Sequence, residues 1–265
     1  MLLFDIKTTN AYVIKNLVEA LKDILTESTI MIRKDGMHIV DVDTSLTLLV
    51  KLDLDGSKFE EYIVNEEVDI GIEVLTFHKI LKHLTQNDSL SLSMDDTQRS
   101  KLIIRIDNTK RNCIRTHRIS LNDLDYEKPQ TISIDYDTII TIPALEFQHI
   151  CKNMKENSNQ VVITKVADEI QFSSESSAID SVITYPVCKF NNENTRSQCY
   201  YLDNNPDLIY RGIFSLDSLI SFTKCTSLCN FVELYMKNDC PIDVKYSVAS
   251  LGTIRLMLSN FINTT

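Results

Sequence analysis

Apolar and polar residues alternate with a period of two through most of this 265-residue chain, as in Thr29-Ile30-Met31-Ile32-Arg33, His38-Ile39-Val40-Asp41-Val42 and Val161-Val162-Ile163-Thr164. Successive side chains of a strand point to opposite faces, so these runs predict strands with one face buried. Lys34-Asp35-Gly36 stands between two of them. An Asp-Gly pair in that place predicts a hairpin whose glycine supplies a positive φ. A matching hairpin, residues 161–165 and 169–173, comes about 130 residues later, after a helix as the first does.

Four stretches break the alternation and place apolar residues three and four apart: residues 10–25, 74–84, 144–156 and 215–228. That spacing predicts helices. A short alternating run enters each of them (residues 3–7, 68–72, 139–142 and 209–214), and about three strands follow each. The chain therefore reads as four β-α-β-β-β units, two per half. Between the halves alternation fades, and Asn122-Asp123-Leu124-Asp125 and Lys128-Pro129-Gln130 predict an extended connector. The resulting fold class is α+β, with similar domains at 1–118 and 135–265 joined by 119–134.

The helices carry lysines on the side away from their apolar stripe. In the first, Ile14, Leu17, Val18, Leu21 and Leu25 face inward while Lys15 and Lys22 share the other side. The second is expected to turn Leu75, Ile80, Leu81 and Leu84 inward and Lys79, Lys82 and His83 outward. In the third, His149, Lys152 and Lys155 oppose Phe147, Ile150 and Met154. The fourth offers Lys224 against Asp217. A solvated helix face is the plain reading of any one of these lysines. Repetition at corresponding places in four units favours a functional reading.

Charge sharpens that contrast. The chain carries −10, yet the helices, with Glu73 at the entry of the second counted in, hold seven lysines against six carboxylates, leaving the remainder at −11. An acidic total disfavours tight phosphate binding, whereas a locally positive surface in an acidic shell suits a weak and confined contact. The N-terminal run meets Asp5 after four residues and no apolar stretch approaches the ~18 residues of a membrane span, so neither export nor a membrane partner is expected. Seven cysteines with no Cys-x-x-Cys pair suit reduced core thiols. Cys225 and Cys229, four apart, are expected to pack rather than bind metal.

Several segments in order resemble the proliferating cell nuclear antigen family, the eukaryotic-type DNA sliding clamps: Val18-Glu19-Ala20-Leu21-Lys22-Asp23, Lys79-Ile80-Leu81-Lys82, Leu121-Asn122-Asp123-Leu124-Asp125, Glu146-Phe147-x-x-Ile150-Cys151-Lys152, Phe222-Thr223-Lys224 and Tyr246-x-x-Ala249-x-x-Gly252. The resemblance implies a homotrimeric ring of two-domain subunits, helices lining the pore and sheets outside, that encircles double-stranded DNA. It implies a processivity factor for DNA polymerase in replication and repair, served by a clamp loader and by other DNA enzymes that dock through short peptide motifs. Such a protein works in the nucleus, or at a viral replication site if the chain is viral. No cofactor, metal or catalytic residue is implied.

Carried over by position, Lys15, Lys22, Lys79, Lys82, His149, Lys152 and Lys224 correspond to pore positions, and His83 and Lys155 join them by helical spacing. Residues 112–119 and 176–185 resemble the two subunit-interface strands. The first bears Arg111, Arg115, His117 and Arg118, the second Glu175 and Asp180, and this opposition of sign is expected to orient head-to-tail pairing. The partner pocket corresponds to Val42, Leu124, Tyr126, Pro129, Thr131, Pro241 and Met257. Pro129, Thr131 and Met257 depart from the family pattern, and Ile132 or Ile134 is expected to restore an apolar contact through a small shift of the connector. Ala167 stands where eukaryotic members carry a modified lysine, leaving Lys165 as the nearest lysine; the chain reads as a divergent member.

Two alternatives stay open. One is an enzyme, against which stand five glycines in no phosphate-cradling loop and five histidines in no metal or nucleophile array. The other is a subunit of a heterotrimeric, checkpoint-type clamp, which would share fold and helices but not self-complementary edges.

Overall fold

The computed structural model describes residues 1–123, 129, 133–189, 199–201 and 208–261. The chain divides into two compact units, the first of residues 1–44, 50–129 and 247–254, the second of residues 45–49, 130–246 and 255–265. It begins with β1 (Leu2–Thr8) and α1 (Ala11–Leu21), then β2 (Glu27–Ile32), β3 (Gly36–Val42), β4 (Leu48–Asp55) and a short β5 (Glu61–Val64). Next come β6 (Val68–Glu73), α2 (Val74–Leu81), β7 (Asp88–Asp95), β8 (Lys101–Asn108) and β9 (Cys113–Ser120). The plan repeats as β10 (Thr138–Pro143), α3 (Ala144–Lys155), β11 (Gln160–Val166), β12 (Glu169–Glu175), β13 (Asp180–Lys189) and β14 (Cys199–Tyr201). It closes with β15 (Tyr210–Ser215), α4 (Leu216–Phe222), β16 (Phe231–Met236), β17 (Ile242–Val248) and β18 (Gly252–Leu258). Four β-α-β-β-β units are thus present, the first and third each extended by one short strand.

The units are interlocked. β1 feeds α1 but pairs with β7, which leaves α2 (Ile6↔Leu92), and β6 feeds α2 but pairs with β2, which leaves α1 (Ile30↔Ile70). In the second unit β10 pairs with β16 (Ile140↔Leu234) and β15 with β11 (Val161↔Phe214). Each helix therefore connects strands of different groups, and its neighbour connects them in the opposite sense. The two helices of a unit lie side by side, α1 on α2 and α3 on α4.

Their apolar stripes supply the core. Ile14, Leu17, Val18, Leu21 and Leu25 are all buried, each worth about 1.5–3 kcal/mol relative to exposure. Phe147 of α3 meets Phe172 of β12 edge-on, with ring centroids 6.5 Å apart. In α2 the inward residues are Val74, Phe77, Leu81 and Leu84, whereas Leu75 is 45% exposed. The expected inward Leu75 is thus incorrect: the helix starts at Val74 and its stripe runs through Phe77, one residue out of phase with Leu75. The fourth expected helix also divides, α4 stopping at Phe222 and continuing as a 3₁₀ segment, Thr223–Leu228. Thr223 Oγ1 donates back to Ile220 O at 2.7 Å there, and Cys225 and Leu228, three apart as 3₁₀ stacking requires, are both buried. Cys229 lies beyond the segment in extended backbone, so the two cysteines do not share a helical face.

Gly36 corrects another expectation. The hairpin closes on Arg33 and Gly36, which exchange N–H···O bonds of 2.9 and 3.3 Å, and no glycine has positive φ. Glycine is needed for approach instead: a Cβ there would lie 2.0 Å from Leu54 O. In the matching hairpin of the second unit the left-handed residue is Ala167, with φ 47°.

Both halves end alike. Asn122 N–H donates to Gly71 O at 2.9 Å, and Phe261 N–H donates to Ile213 O at 2.9 Å. Gly71 and Ile213 each stand three residues before a helix, α2 and α4.

Asp88 links β7 to the edge strand β9. Its buried carboxylate accepts from Thr85 N–H (2.7 Å), Thr85 Oγ1 (2.9 Å) and Asn108 Nδ2 (2.6 Å), and Arg115 Nη2 lies 3.8 Å away. Burial alone would raise its pKa, but these donors and the Arg115 charge outweigh it and hold the carboxyl below the usual range.

Two outcomes follow for stability. Gly36→Ala loses roughly 1–3 kcal/mol in urea unfolding, because backbone rather than a flexible side chain must give way. Since the folded pKa of Asp88 is depressed, its contribution is present at neutral pH and disappears as pH falls below about 4. Asp88→Asn, which has no proton to take up, gives a shallower loss of stability over that acid range when both proteins are titrated by circular dichroism.

Candidate nucleic-acid interface

The outward faces of the helices hold the expected cations, but not equally. In the first unit Lys79, Lys82 and His83 are exposed around the end of α2. Lys15 is half-buried: its ammonium lies 5.2 Å from the Tyr12 ring centroid and 3.4 Å from Leu84 O, leaning across α1 toward α2. Lys22 pairs with Asp23 at 2.9 Å. In the second unit His149 and Lys152 are exposed on α3 and Lys224 on the 3₁₀ segment. Lys155 donates to Asp217 Oδ2 and to Asn159 Oδ1, each at 2.7 Å. The Asp217 charge is therefore set against Lys155 of α3.

Helix carboxylates are partly taken up locally. Glu146 accepts from Tyr185 of β13 at 2.5 Å, and burial together with that carboxylate pushes the Tyr185 hydroxyl pKa up. Glu73 accepts from Thr76. Sequence reasoning missed His78, which is half-buried on α2. Burial, followed by the Lys22 ammonium, pushes its imidazole pKa down, with Lys82 acting alike and Glu19 and Asp23 opposing. Its position one residue before Lys79 was the available signal. Tyr12, 38% exposed beside Lys15, had none beyond its helical register.

The two candidate interface strands are placed differently from expectation. β9 is the outer strand of the order β5-β1-β7-β8-β9 and starts at Cys113, after Asn112 at φ 45°. Arg115 and His117 pair with the buried Ile106 and Ile104 and so share the helix-side face, whereas Arg118 pairs with Ile103 and lies on the opposite face with Ile114. The basic residues are thus split between two faces, and Arg115 is partly answered by Asp88. Arg111 lies in the preceding turn, its N–H donating to Asn108 Oδ1 at 2.8 Å.

The acidic strand begins at Asp180, because residues 176–179 form a turn closed by Ser176 N–H on Ile179 O at 3.1 Å. Glu175 and Asp180 are cross-strand neighbours and both exposed. β13 pairs with β12 from Asp180 to Pro186 but with β14 only from Val187 to Lys189. Among the described residues, its first part therefore has one open edge, flanked by Ile179 and Val182 at 52% and 62% exposure.

Of the expected partner-pocket residues, Val42 ends β3 in the first unit, where Pro129 is also described. Pro241 precedes β17 and Met257 lies on β18 in the second, and all four are half-buried. Leu124, Tyr126, Thr131 and Ile132 lie outside the described residues. Lys165 is fully buried, with its ammonium donating to Leu208 O at 2.8 Å, so it does not replace an exposed lysine at position 167. Cys151 and Cys225 are buried, and burial pushes each thiol up to about 12, while Cys113 and Cys188 are exposed rather than in the core.

Comparison with known proteins agrees with this layout. Family models described as proliferating cell nuclear antigen, N-terminal domain, and proliferating cell nuclear antigen, C-terminal domain, match residues 3–130 and 131–261. The chain is 30% identical over 257 residues to a probable DNA polymerase sliding clamp 1 of Paramecium bursaria Chlorella virus 1, covering 97% of this chain and 96% of that one. It is 26% identical to the proliferating cell nuclear antigen of Caenorhabditis elegans over the same shares. With a probable DNA polymerase sliding clamp of Acanthamoeba polyphaga mimivirus it shares 29% identity over 230 residues, 84% of this chain but 47% of that protein. Two interlocked α+β units, helices bearing cations outward, and matches that together span residues 3–261 lead to one assignment: this chain belongs to the proliferating cell nuclear antigen family.

Proposed function

We propose that this chain is a DNA sliding clamp that encircles double-stranded DNA as a homotrimer and tethers DNA polymerase, acting as a non-catalytic processivity factor. The observation that carries the reading is the recurrence of exposed cations on paired helices in both units, Lys79 and Lys82 in one, Lys152 and Lys224 in the other. A ring held by its topology needs no strong phosphate grip, and a few exposed lysines against a remainder of −11 supply a weak, salt-sensitive contact. Lys15, Lys22 and His83 join this set in the first unit and His149 and Lys155 in the second, with Lys155 weakened by Asp217. His78 and Tyr12 extend it.

Ring closure pairs the open edge of β9 with the open first part of β13 on the next subunit. Arg115 and His117 on one face of β9, and Arg118 on the other, then border the edge that carries Asp180 and its cross-strand neighbour Glu175, and exposed Ile114 and Val182 gain cover. The domains are 1–118 and 135–265, with 119–134 as connector. Polymerase, clamp loader and other DNA enzymes dock by short peptide tails on Val42, Leu124, Tyr126, Pro129, Thr131, Ile132, Pro241 and Met257. The viral relatives support action at a viral replication site. A heterotrimeric ring remains the second reading only if the purified chain fails to self-assemble.

Light scattering decides that point: the purified chain runs at three times its 30.4 kDa mass, and Arg115→Glu with Arg118→Glu brings it to the monomer. A monomeric wild type, or a double variant that still trimerises, rejects the edge pairing. Clamp loaded on nicked circular DNA stays bound through a salt wash and is lost once the circle is linearised. Lys79→Glu with Lys82→Glu leaves retention on the closed circle unchanged but speeds loss from the linearised DNA several-fold at low salt and little at high salt.

A further inference from the structure

After the proposed connector the chain returns to the second unit at residues 135–137. Tyr136 packs its ring edge-on against Tyr235 of β16, with centroids 5.8 Å apart at 67°. The guanidinium of Arg255 lies 4.7 Å from the Tyr235 centroid, and its Nη2 reaches Asp243 Oδ2 at 2.5 Å. Asp243 is fully buried and stands opposite Tyr235 in the β16–β17 register, so both side chains share one sheet face. Lys237 adds a second hold, its ammonium donating to Asp135 O at 2.9 Å and lying 3.6 Å from Asp137. Among the described residues the buried Tyr136 hydroxyl has no hydrogen-bond partner. Packing of the ring, not its polar end, therefore holds this residue in place.

A buried carboxylate paired to a stacked guanidinium is an expensive arrangement for stability alone, since apolar residues of similar volume commonly do as well. Its location points to a different use. Arg255 and Met257 are two apart on β18 and so share a face, and Pro241 is two residues before Asp243. The stack thus stands beside two residues of the proposed partner pocket and at the point where the connector returns.

We propose that Asp243, Arg255, Tyr235 and Tyr136 form a positioning stack that fixes the root of the connector next to Pro241 and Met257 and thereby sets the affinity for a partner's peptide tail. Asp243 orients the guanidinium, the guanidinium and the Tyr235 ring fix one another, and Tyr136 is the piece of connector root that they grip. Residues 135–137, held in place before a tail arrives, lose no freedom when it binds beside them, which is where the affinity gain originates. This inference rests on the partner-tail reading given above.

The test titrates the intact trimer with a synthetic peptide carrying the family's short tail motif, by calorimetry. Tyr136→Ala weakens binding about five- to tenfold, while Tyr136→Phe, which keeps the ring and drops an unpartnered hydroxyl, stays within about twofold of wild type. Lys237→Met, a surface change remote from the core, weakens binding by a smaller factor and stands in if Tyr136→Ala does not fold. Wild-type binding that neither Tyr136→Ala nor Lys237→Met alters overturns the positioning role and leaves the pocket reading intact. A loss in Tyr136→Phe equal to that in Tyr136→Ala also overturns it, since the hydroxyl would then be the active group. No detectable heat with wild type rejects the pocket reading and this inference with it.

Discussion

The exchange of feeder strands between the two β-α-β-β-β units of each half governs the rest of the structure. Because β1 pairs with β7 and β6 with β2, neither helix of the first unit can move without disturbing strands on both sides. α1 and α2 are forced to lie together, and the same holds for α3 and α4 through β10 with β16 and β15 with β11. Lysines far apart in sequence, Lys15 and Lys82 for instance, come to share one helical surface. The exchange also uses up strand edges unevenly. β9 is left outermost at one end of its sheet, as β5 is at the other, and the first part of β13 is open on one side among the described residues.

Charge is arranged by the same geometry. The weak positive excess of the helices depends on where their carboxylates turn. Glu146 is drawn to Tyr185 of β13, while Asp217 crosses to Lys155 and cancels it. Each unit thus has a helix lysine set against a carboxylate, Lys22 against Asp23 in the first and Lys155 against Asp217 in the second. A surface of that kind attracts a polyanion without fixing it at one register, since exposed charges at this density are screened within about 8 Å at physiological salt. The charges on the strand edges, Arg115 and Arg118 on β9 and Asp180 on β13, form a set separate from those of the helices.

Much of this was readable in the sequence because it is local. The stripe from Ile14 to Leu25 follows from spacing alone, as do the alternating strands and the fourfold recurrence of the unit. What was not readable depends on partners distant along the chain. Gly36 resembled a turn glycine, yet its requirement comes from Leu54 O on β4, which no neighbouring residue signals. Arg115, His117 and Arg118 form one basic cluster in the sequence, but pairing with β8 sends Arg118 to the other face. Leu75 was misassigned because two apolar phases were possible from Val74 onward and packing selected the one through Phe77. Likewise Asp217 gave no sign that its partner would be sixty-two residues away on α3.

The matching latches, Asn122 on Gly71 and Phe261 on Ile213, have a practical consequence for engineering. The first marks the point from which the chain sets out from one repeat to the next. Phe261 is therefore a natural splice point: a polypeptide fused there leaves the second repeat by the route that nature already uses to leave the first. Tandem fusions built at that residue would let each copy in a multi-copy assembly carry its own substitutions, so that the number of altered sites per ring becomes an experimental variable.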